Sequence, residues 1–277
     1  MYASSEPATA LCPFVECYWS WCLAPDDPSL DDILPDAAPE FIVHFGSEPM
    51  ARVDGGEWRA QYPAFLYCAA NRPVRLRIRE PMSVFAIRFR PWGVSRFTRS
   101  SMADMLDRAV TPRDALDQLG DDLVAALRAA DSHAERVDVA NSVLTGALSS
   151  ASPHDSKLRR LLEVTDGGRS TSVEMAQRLS VSDRTFRRLW RDVVGIEPRK
   201  FVQLMRFHSA LQMIDAGASL ADVAAECGYS DQPHMARQIK SISGLPASAL
   251  RRRLGNAVYR DLYASRPGAP WRLRTSQ

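Results

Sequence analysis

The first third of the chain is nearly empty of histidine: residues 1–93 contain only His44. A metal-dependent enzyme built on a small β-barrel holds its ion with several closely spaced histidines and a carboxylate, so a lone histidine argues against that chemistry. His44, in an apolar stretch, reads as a core histidine. Paired carboxylates, a nucleophile beside a base and a phosphate-binding loop are also missing, so no catalytic residue, cofactor or metal ligand is expected. Cysteine is sparse and odd in number, with five residues (Cys12, Cys17, Cys22, Cys68, Cys227) and no compact paired framework. That pattern suits a reducing compartment. No apolar run reaches the roughly 18 residues a membrane-spanning helix needs. The first residues lack a basic stretch followed by an apolar one, so no signal peptide is expected and the cytoplasm is the expected location.

What is present is unevenly distributed. The whole chain carries a formal net charge of +2, yet residues 1–153 hold 14 Lys and Arg against 21 Asp and Glu, while residues 154–277 hold 21 against 12. An acidic module joined to a basic one implies that only the second faces a polyanion. At 277 residues the length suits two domains, each able to bury a core.

Residues 11–90 are strand-like. Residues 14–22 are rich in aromatic and β-favouring side chains, residues 40–45 end at Gly46, residues 74–79 alternate strictly and residues 83–90 stop at Pro91. Short strands separated by Pro, Gly and Asp turns predict a compact β-sandwich or small barrel over 1–93. The period then changes. Val94, Phe97, Met102, Met105 and Leu106 suit short helices. Residues 115–130 and 134–148 read as two amphipathic helices, with Leu116, Leu119, Leu123 and Leu127 on one stripe. The 94–148 stripe is open to two readings, internal packing or a dimer interface. Residues 149–156 are small, polar and Pro-containing, as a linker is.

The third module, 157–254, carries the informative pattern. Leu158, Leu161, Leu162 and Val164 share a helical face that ends at Gly167-Gly168, Thr171 with Glu174 has capping-box spacing, and Ser182 is a natural N-cap. Pro198 opens a longer helix to about Ala216, closed by Gly217. Within this module a pattern recurs: residues 171–190 and residues 219–239 each read as a short amphipathic helix, a tight turn and a second helix with a polar outer face. Ala176 and Ala224 supply the small residue where two such helices cross. Val181 and Tyr229 supply the apolar turn residue, and Gly228 frees the second turn's backbone. Phe186, Leu189 and Val193 are expected inside in the first unit, with Met235 and Ile239 inside in the second. That leaves Arg184, Arg187, Arg188 and Arg191, then Gln232, His234, Arg237, Gln238 and Lys240, on outer faces. Arginine can bridge guanine O6 and N7, glutamine can pair with adenine, and the remaining cations can grip phosphates. Two tandem helix-turn-helix units suit two adjacent segments of double-stranded DNA.

Residues 157–254 resemble the DNA-binding domain of the AraC/XylS family of bacterial transcription regulators. The resemblance rests on Gly195-Ile-Glu-Pro198, Arg206 with Ala210 and Ile214, Val223-Ala224 with Cys227-Gly228-Tyr229, residues 231–234, and Gly244-Leu-Pro246 with Leu250-Arg251. It implies seven helices, the central one holding both units so that their second helices enter successive major grooves. By position, Arg184, Arg187, Arg188, Gln232, Pro233 and Arg237 become candidates for base reading. Two departures from the family pattern stand out: Met235 and Ile239 stand where phenylalanine is common, and Pro233 is tolerable only in a first helical turn. Residues 11–93 more loosely resemble the cupin-like sensory domains attached to such regulators, through 13–19, 33–45 and 86–91. The expected class is therefore α+β: a β-rich cupin-like domain with a helical segment, then an all-α domain, then a basic tail at 255–277.

The expected partners are double-stranded DNA and a small-molecule effector, with RNA polymerase and a homodimeric partner as further candidates and no membrane. Trp19, Trp21, Tyr18, Trp58 and Tyr67 suit either a ligand pocket or packing. The competing reading is a DNA-binding thiol, zinc or alkylation sensor acting through the N-terminal cysteines. Cys12, Cys17 and Cys22 are five apart, unlike structural zinc pairs. On one strand that spacing puts neighbours on opposite faces.

Overall fold

The computed structural model describes residues 2–24, 33–53, 56–68, 72–164 and 172–254. The Gly167-Gly168 helix stop, the Thr171 capping pair, the side chains of Leu162 and Val164, and the 255–277 tail lie outside the described residues.

The N-terminal strands are β1 (Tyr2–Ser5), β2 (Val15–Leu23), β3 (Glu40–Gly46), β4 (Met50–Val53), β5 (Arg59–Ala60), β6 (Ala64–Tyr67), β7 (Val74–Arg77), β8 (Met82–Phe89) and β9 (Ala109–Val110). Six of them form an antiparallel sheet in the order β1-β2-β8-β3-β6-β9, and β5-β4-β7 form a smaller one. The short β9 returns to the sheet edge beside β6, so the 94–148 segment is not wholly helical.

Both faces of the large sheet are covered, and alternation along its central strand shows how. Phe85, Ile87 and Phe89 of β8 pack in one apolar cluster with Tyr18, Phe41 and the helices of residues 112–147. Val84 and Ala86 belong to a second cluster on the opposite face, with Trp19 and Trp21 of β2. A strand buried on both faces reads as a nearly continuous apolar run, as residues 83–90 do.

The first helices are α1 (Pro112–Leu116), α2 (Gln118–Arg128) and α3 (His133–Ala147). Residues 115–130 therefore do not form one helix. Asp117 has φ +52°, outside the helical range, and it turns the chain between α1 and α2. Leu116, Leu123 and Leu127 are at most 2 % exposed and pack against β-sheet and α3 residues. These three leucines of the stripe are spent on internal packing, and Leu119 is half-buried against the same cluster.

The linker is held rather than extended. Arg96 donates to the carbonyls of Leu148 and Ser150 at 2.7 Å each and lies 3.6 Å from Asp155 Oδ1. Among the described residues seven helices follow: α4 (Asp155–Val164), α5 (Ser172–Arg178), α6 (Asp183–Val194), α7 (Pro198–Asp215), α8 (Leu220–Glu226), α9 (Gln232–Ser243) and α10 (Ala247–Leu254). Pro198 opens α7 and Gly217, at φ +87°, follows its end. Trp190 of α6 is fully buried between Phe186 and Phe201, with ring centroids 5.6 and 5.1 Å away. These rings lock the first unit to α7.

Candidate nucleic-acid interface and domain cavity

The two repeated units close in the same way. In the first, the Val181 amide donates to the Ala176 carbonyl at 3.1 Å; in the second, the Tyr229 amide donates to Ala224 at 3.0 Å. Both alanines are 3 % exposed, so each helix crossing is tight. The turn needs a positive φ one residue earlier. Gly228 supplies it at +72°, and Ser180 supplies it in the first unit at +51°. Nothing in the sequence marked Ser180 as special, because most positive-φ positions are glycine.

The second helices begin on side-chain caps. Ser182 Oγ accepts from the Thr185 amide at 3.2 Å, and Asp231 Oδ1 accepts from the His234 amide at 2.6 Å. Pro233 falls in the first turn of α9, where its missing N–H costs nothing. Phe186, Leu189 and Val193 are buried, as are Met235 and Ile239. Arg184, Arg187, Arg188, Arg191, Gln232, Pro233, Arg237 and Lys240 are all exposed.

The arginines of α6 are not equivalent. Arg187 Nε lies 2.9 Å from Asp183 Oδ2, and Arg191 Nε lies 3.5 Å from Glu197 Oε1. Arg184 and Arg188 have no ion-pair partner among the described residues. On α9, His234 is half-buried, with Nδ1 3.0 Å from Ser230 Oγ and its ring against Tyr229. It braces the turn; Gln232, Arg237, Lys240 and Ser241 are the exposed polar groups of that helix, and Gln238 is half-buried. Ser101, Ala103 and Asp104 of the N-terminal domain form one wall of a cleft whose other wall is the arginine face of α6.

A second feature lies inside the N-terminal domain. Between the large sheet, the small sheet and residues 33–38 is a cavity of about 120 Å³. Trp19, Trp21, Phe65, Tyr67, Val74 and Val84 supply much of its lining, and Asp36, Glu40, His44, Gln61 and Arg88 supply its polar groups. Of the five aromatic candidates, Trp19, Trp21 and Tyr67 line it. Tyr18 faces away and donates to Asn141 Oδ1 at 2.8 Å, and Trp58 stacks between Arg52 and Arg77.

Arg88 is surrounded by acids. It pairs with Asp36, with Glu40 Oε1 at 2.9 Å and with Glu16 Oε2 at 3.3 Å. Burial opposes its charge, but Asp36, Glu16 and Glu40 outweigh that and hold the guanidinium protonated well above its ordinary range. Sequence reading passed over this cluster. The signal was there: a charged residue inside the apolar strand 83–90 is almost never buried unless paired. His44 lines the same cavity, 3 % exposed, and its Nε2 donates to Gln61 Oε1 at 3.0 Å. Burial lowers its pKa, a shift the Gln61 hydrogen bond only partly opposes.

The cysteines do not converge. Cys12 and Cys22 are exposed, whereas Cys17, Cys68 and Cys227 are buried. Among the described residues no group of three His, Cys, Asp or Glu side chains is poised to hold a metal ion. No described helix is long and apolar enough to cross a membrane.

No curated protein matches the chain. Among solved structures, it is similar to ToxT from Vibrio cholerae at 7 % identity, covering 92 % of this chain and 99 % of that one with a TM-score of 0.47. An AraC-type transcriptional regulator from Chromobacterium violaceum is 20 % identical over 37 % of this chain and 96 % of its own, with a TM-score of 0.33. The DNA-binding domain of AdpA, solved with a target DNA, is 25 % identical over 39 % and 93 %, with a TM-score of 0.30. Family models match two segments: a domain of unknown function (DUF6597) over residues 4–111, and a helix-turn-helix domain over residues 175–253. With its paired turns, capped second helices and family match, the segment 175–253 is a helix-turn-helix domain.

Proposed function

We propose that this chain is a sequence-specific regulator of transcription that binds double-stranded DNA, is controlled by a small molecule held in the N-terminal cavity, and has no catalytic role. The observation carrying this reading is the pair of matched turns, each presenting an exposed polar helix face beside α7. Arg184 and Arg188 are the candidates for bidentate guanine contacts, with Gln232 and Arg237 as their counterparts on α9. Arg187, Arg191 and Lys240 suit phosphates, and Pro233 offers only an apolar surface. The second unit thus discriminates bases less strongly than the first. RNA polymerase and a second copy of the chain remain the candidate protein partners.

Control by a ligand has a physical route. Residues 33–38 form part of the cavity wall, and Leu34 and Ala37 share an apolar cluster with the core of the C-terminal module. A ligand that shifts this wall shifts the surface on which α7 rests. The Asp104 wall faces the arginines of α6, where a DNA phosphate would be repelled, so a duplex binds best when the domains reorient.

The test is selection of genomic fragments with the full chain at physiological salt. The expected result is a motif with two half-elements about 10 base pairs apart, one helical turn. Salt-sensitive bulk binding without a motif, with and without candidate ligands, would overturn the sequence-specific reading.

A further inference from the structure

Among the described residues, the lining of the N-terminal cavity carries two carboxylates, Asp36 and Glu40, against one guanidinium, and that excess specifies a ligand class. Asp36, Glu40 and Arg88 reach the cavity, and Glu16 stands behind Arg88. Arg88 is buried and already meets three carboxylates. Its side chain is 6 % exposed, against 16 % for Asp36 and 18 % for Glu40, so an incoming molecule meets the carboxylates before the guanidinium. A ligand carboxylate would have to displace an acid from Arg88 while lying beside the others. An ammonium group would find opposite charge at once.

An independent observation points the same way. His44 lines the cavity and is 3 % exposed, and its Nδ1 has no hydrogen-bond partner among the described residues. Because Nε2 donates to Gln61 Oε1, Nδ1 carries a lone pair that no described residue meets. Around these acceptors the walls are aromatic, with Trp19 and Trp21 on β2. Indole faces attract cations as well as apolar rings. An engineered apolar cavity of about 150 Å³ accepts benzene, and the volume of about 120 Å³ here is on that scale.

From this we infer that the cavity binds a compact aromatic or branched apolar amine, with its ammonium against Asp36 and Glu40 and its apolar body among the tryptophans. The inference rests on the effector reading of the cavity and names the chemistry that reading leaves open.

Calorimetric titration of the full chain with three matched probes tests it: 2-phenylethylamine, 2-phenylethanol and phenylacetate. The expected result is saturable binding of the amine, at least about tenfold tighter than either of the others, a gap of about 1.4 kcal/mol. Glu40→Gln and Asp36→Asn each leave Arg88 with two carboxylates, and each should erode the amine preference by about tenfold. Equal or tighter binding of phenylacetate or phenylethanol overturns the inference, as does a lack of amine binding or an amine affinity indifferent to both substitutions. The probe comparison on the unaltered chain decides the matter even if a variant misfolds. DNA affinity measured in the same samples separates the two readings. Amine binding that leaves DNA affinity unchanged keeps the ligand class and sinks effector control, whereas sequence-specific DNA binding without amine binding does the reverse.

Discussion

The imidazole Nε2 of His208, within α7, donates a hydrogen bond to the carbonyl oxygen of Pro35 at 2.9 Å. His208 is 6 % exposed, and Pro35 belongs to the segment that walls the N-terminal cavity. The helix between the two helix-turn-helix units is thus tied by a buried hydrogen bond to the wall a ligand would touch. His208→Phe keeps a ring and removes the donor, leaving a buried carbonyl without it. Full-chain stability should fall by about 1–3 kcal/mol. Any effect of a bound amine on DNA affinity should shrink with it. Thermal unfolding and DNA titration with and without phenylethylamine measure both, and a variant that melts and responds like the parent would remove this contact from the route.

The unequal pairing of the α6 arginines leads to a different experiment. Arg188→Ala on α6, or Arg237→Ala on α9, should weaken binding to the selected duplex by about 1–3 kcal/mol and relax preference at one base position. Arg187→Ala should weaken selected and scrambled duplexes alike and lower the salt slope by about 1, as loss of a phosphate contact does. Titrations at several salt concentrations read both quantities. If Arg188→Ala behaves like Arg187→Ala, Arg188 grips the backbone and does not read bases.

What could be read from the sequence follows a physical rule. The C-terminal module was legible because local chemistry dictates it: Ser182, Pro198, Gly217 and Gly228 mark boundaries, and Ala176 and Ala224 mark crossings. The strands of residues 15–23 and 82–89 were legible from composition and alternation. What escaped depends on contacts between distant residues. The break at Asp117 has no marker of its own, the two-residue β9 exists only because β6 offers it an edge, and Ser180 adopts a glycine-like angle because its turn demands it. The Arg88 cluster joins residues from β2, the 33–38 segment, β3 and β8, and no local window contains it.

Gly195 makes the contact between the modules directly testable. It ends α6 at φ +88°, and a Cβ there would lie 2.9 Å from the backbone oxygen of Met102 in the N-terminal domain. Gly217 ends α7 at φ +87°, and a Cβ added there would meet nothing within 4 Å. Both alanine variants carry backbone strain of about 1–3 kcal/mol, and only Gly195→Ala adds a collision between domains. Gly195→Ala should therefore melt below Gly217→Ala and show faster proteolysis near residues 149–156. Equal melting of the two would mean the modules give way at that contact without cost.

The thiols separate the effector reading from the thiol-sensor reading. Burial pushes Cys68 up to about 12 and Cys227 up to about 11, the latter helped by Glu226, so neither supplies thiolate near neutral pH. Cys12 and Cys22 are exposed and should be the two that react with a thiol reagent in the folded protein. Since the folded state favours the neutral form of Cys68 and Cys227, their contribution to stability is complete below the ordinary thiol pKa of about 9. It fades as pH rises through 11 and 12. Unfolding midpoints should therefore hold level between about pH 7 and 9 and fall above it, less steeply in Cys68→Ala. Replacing Cys12 and Cys22 with serine should leave regulated DNA binding intact. Loss of regulation in that double variant, with DNA affinity preserved, would turn the reading toward chemistry at cysteine.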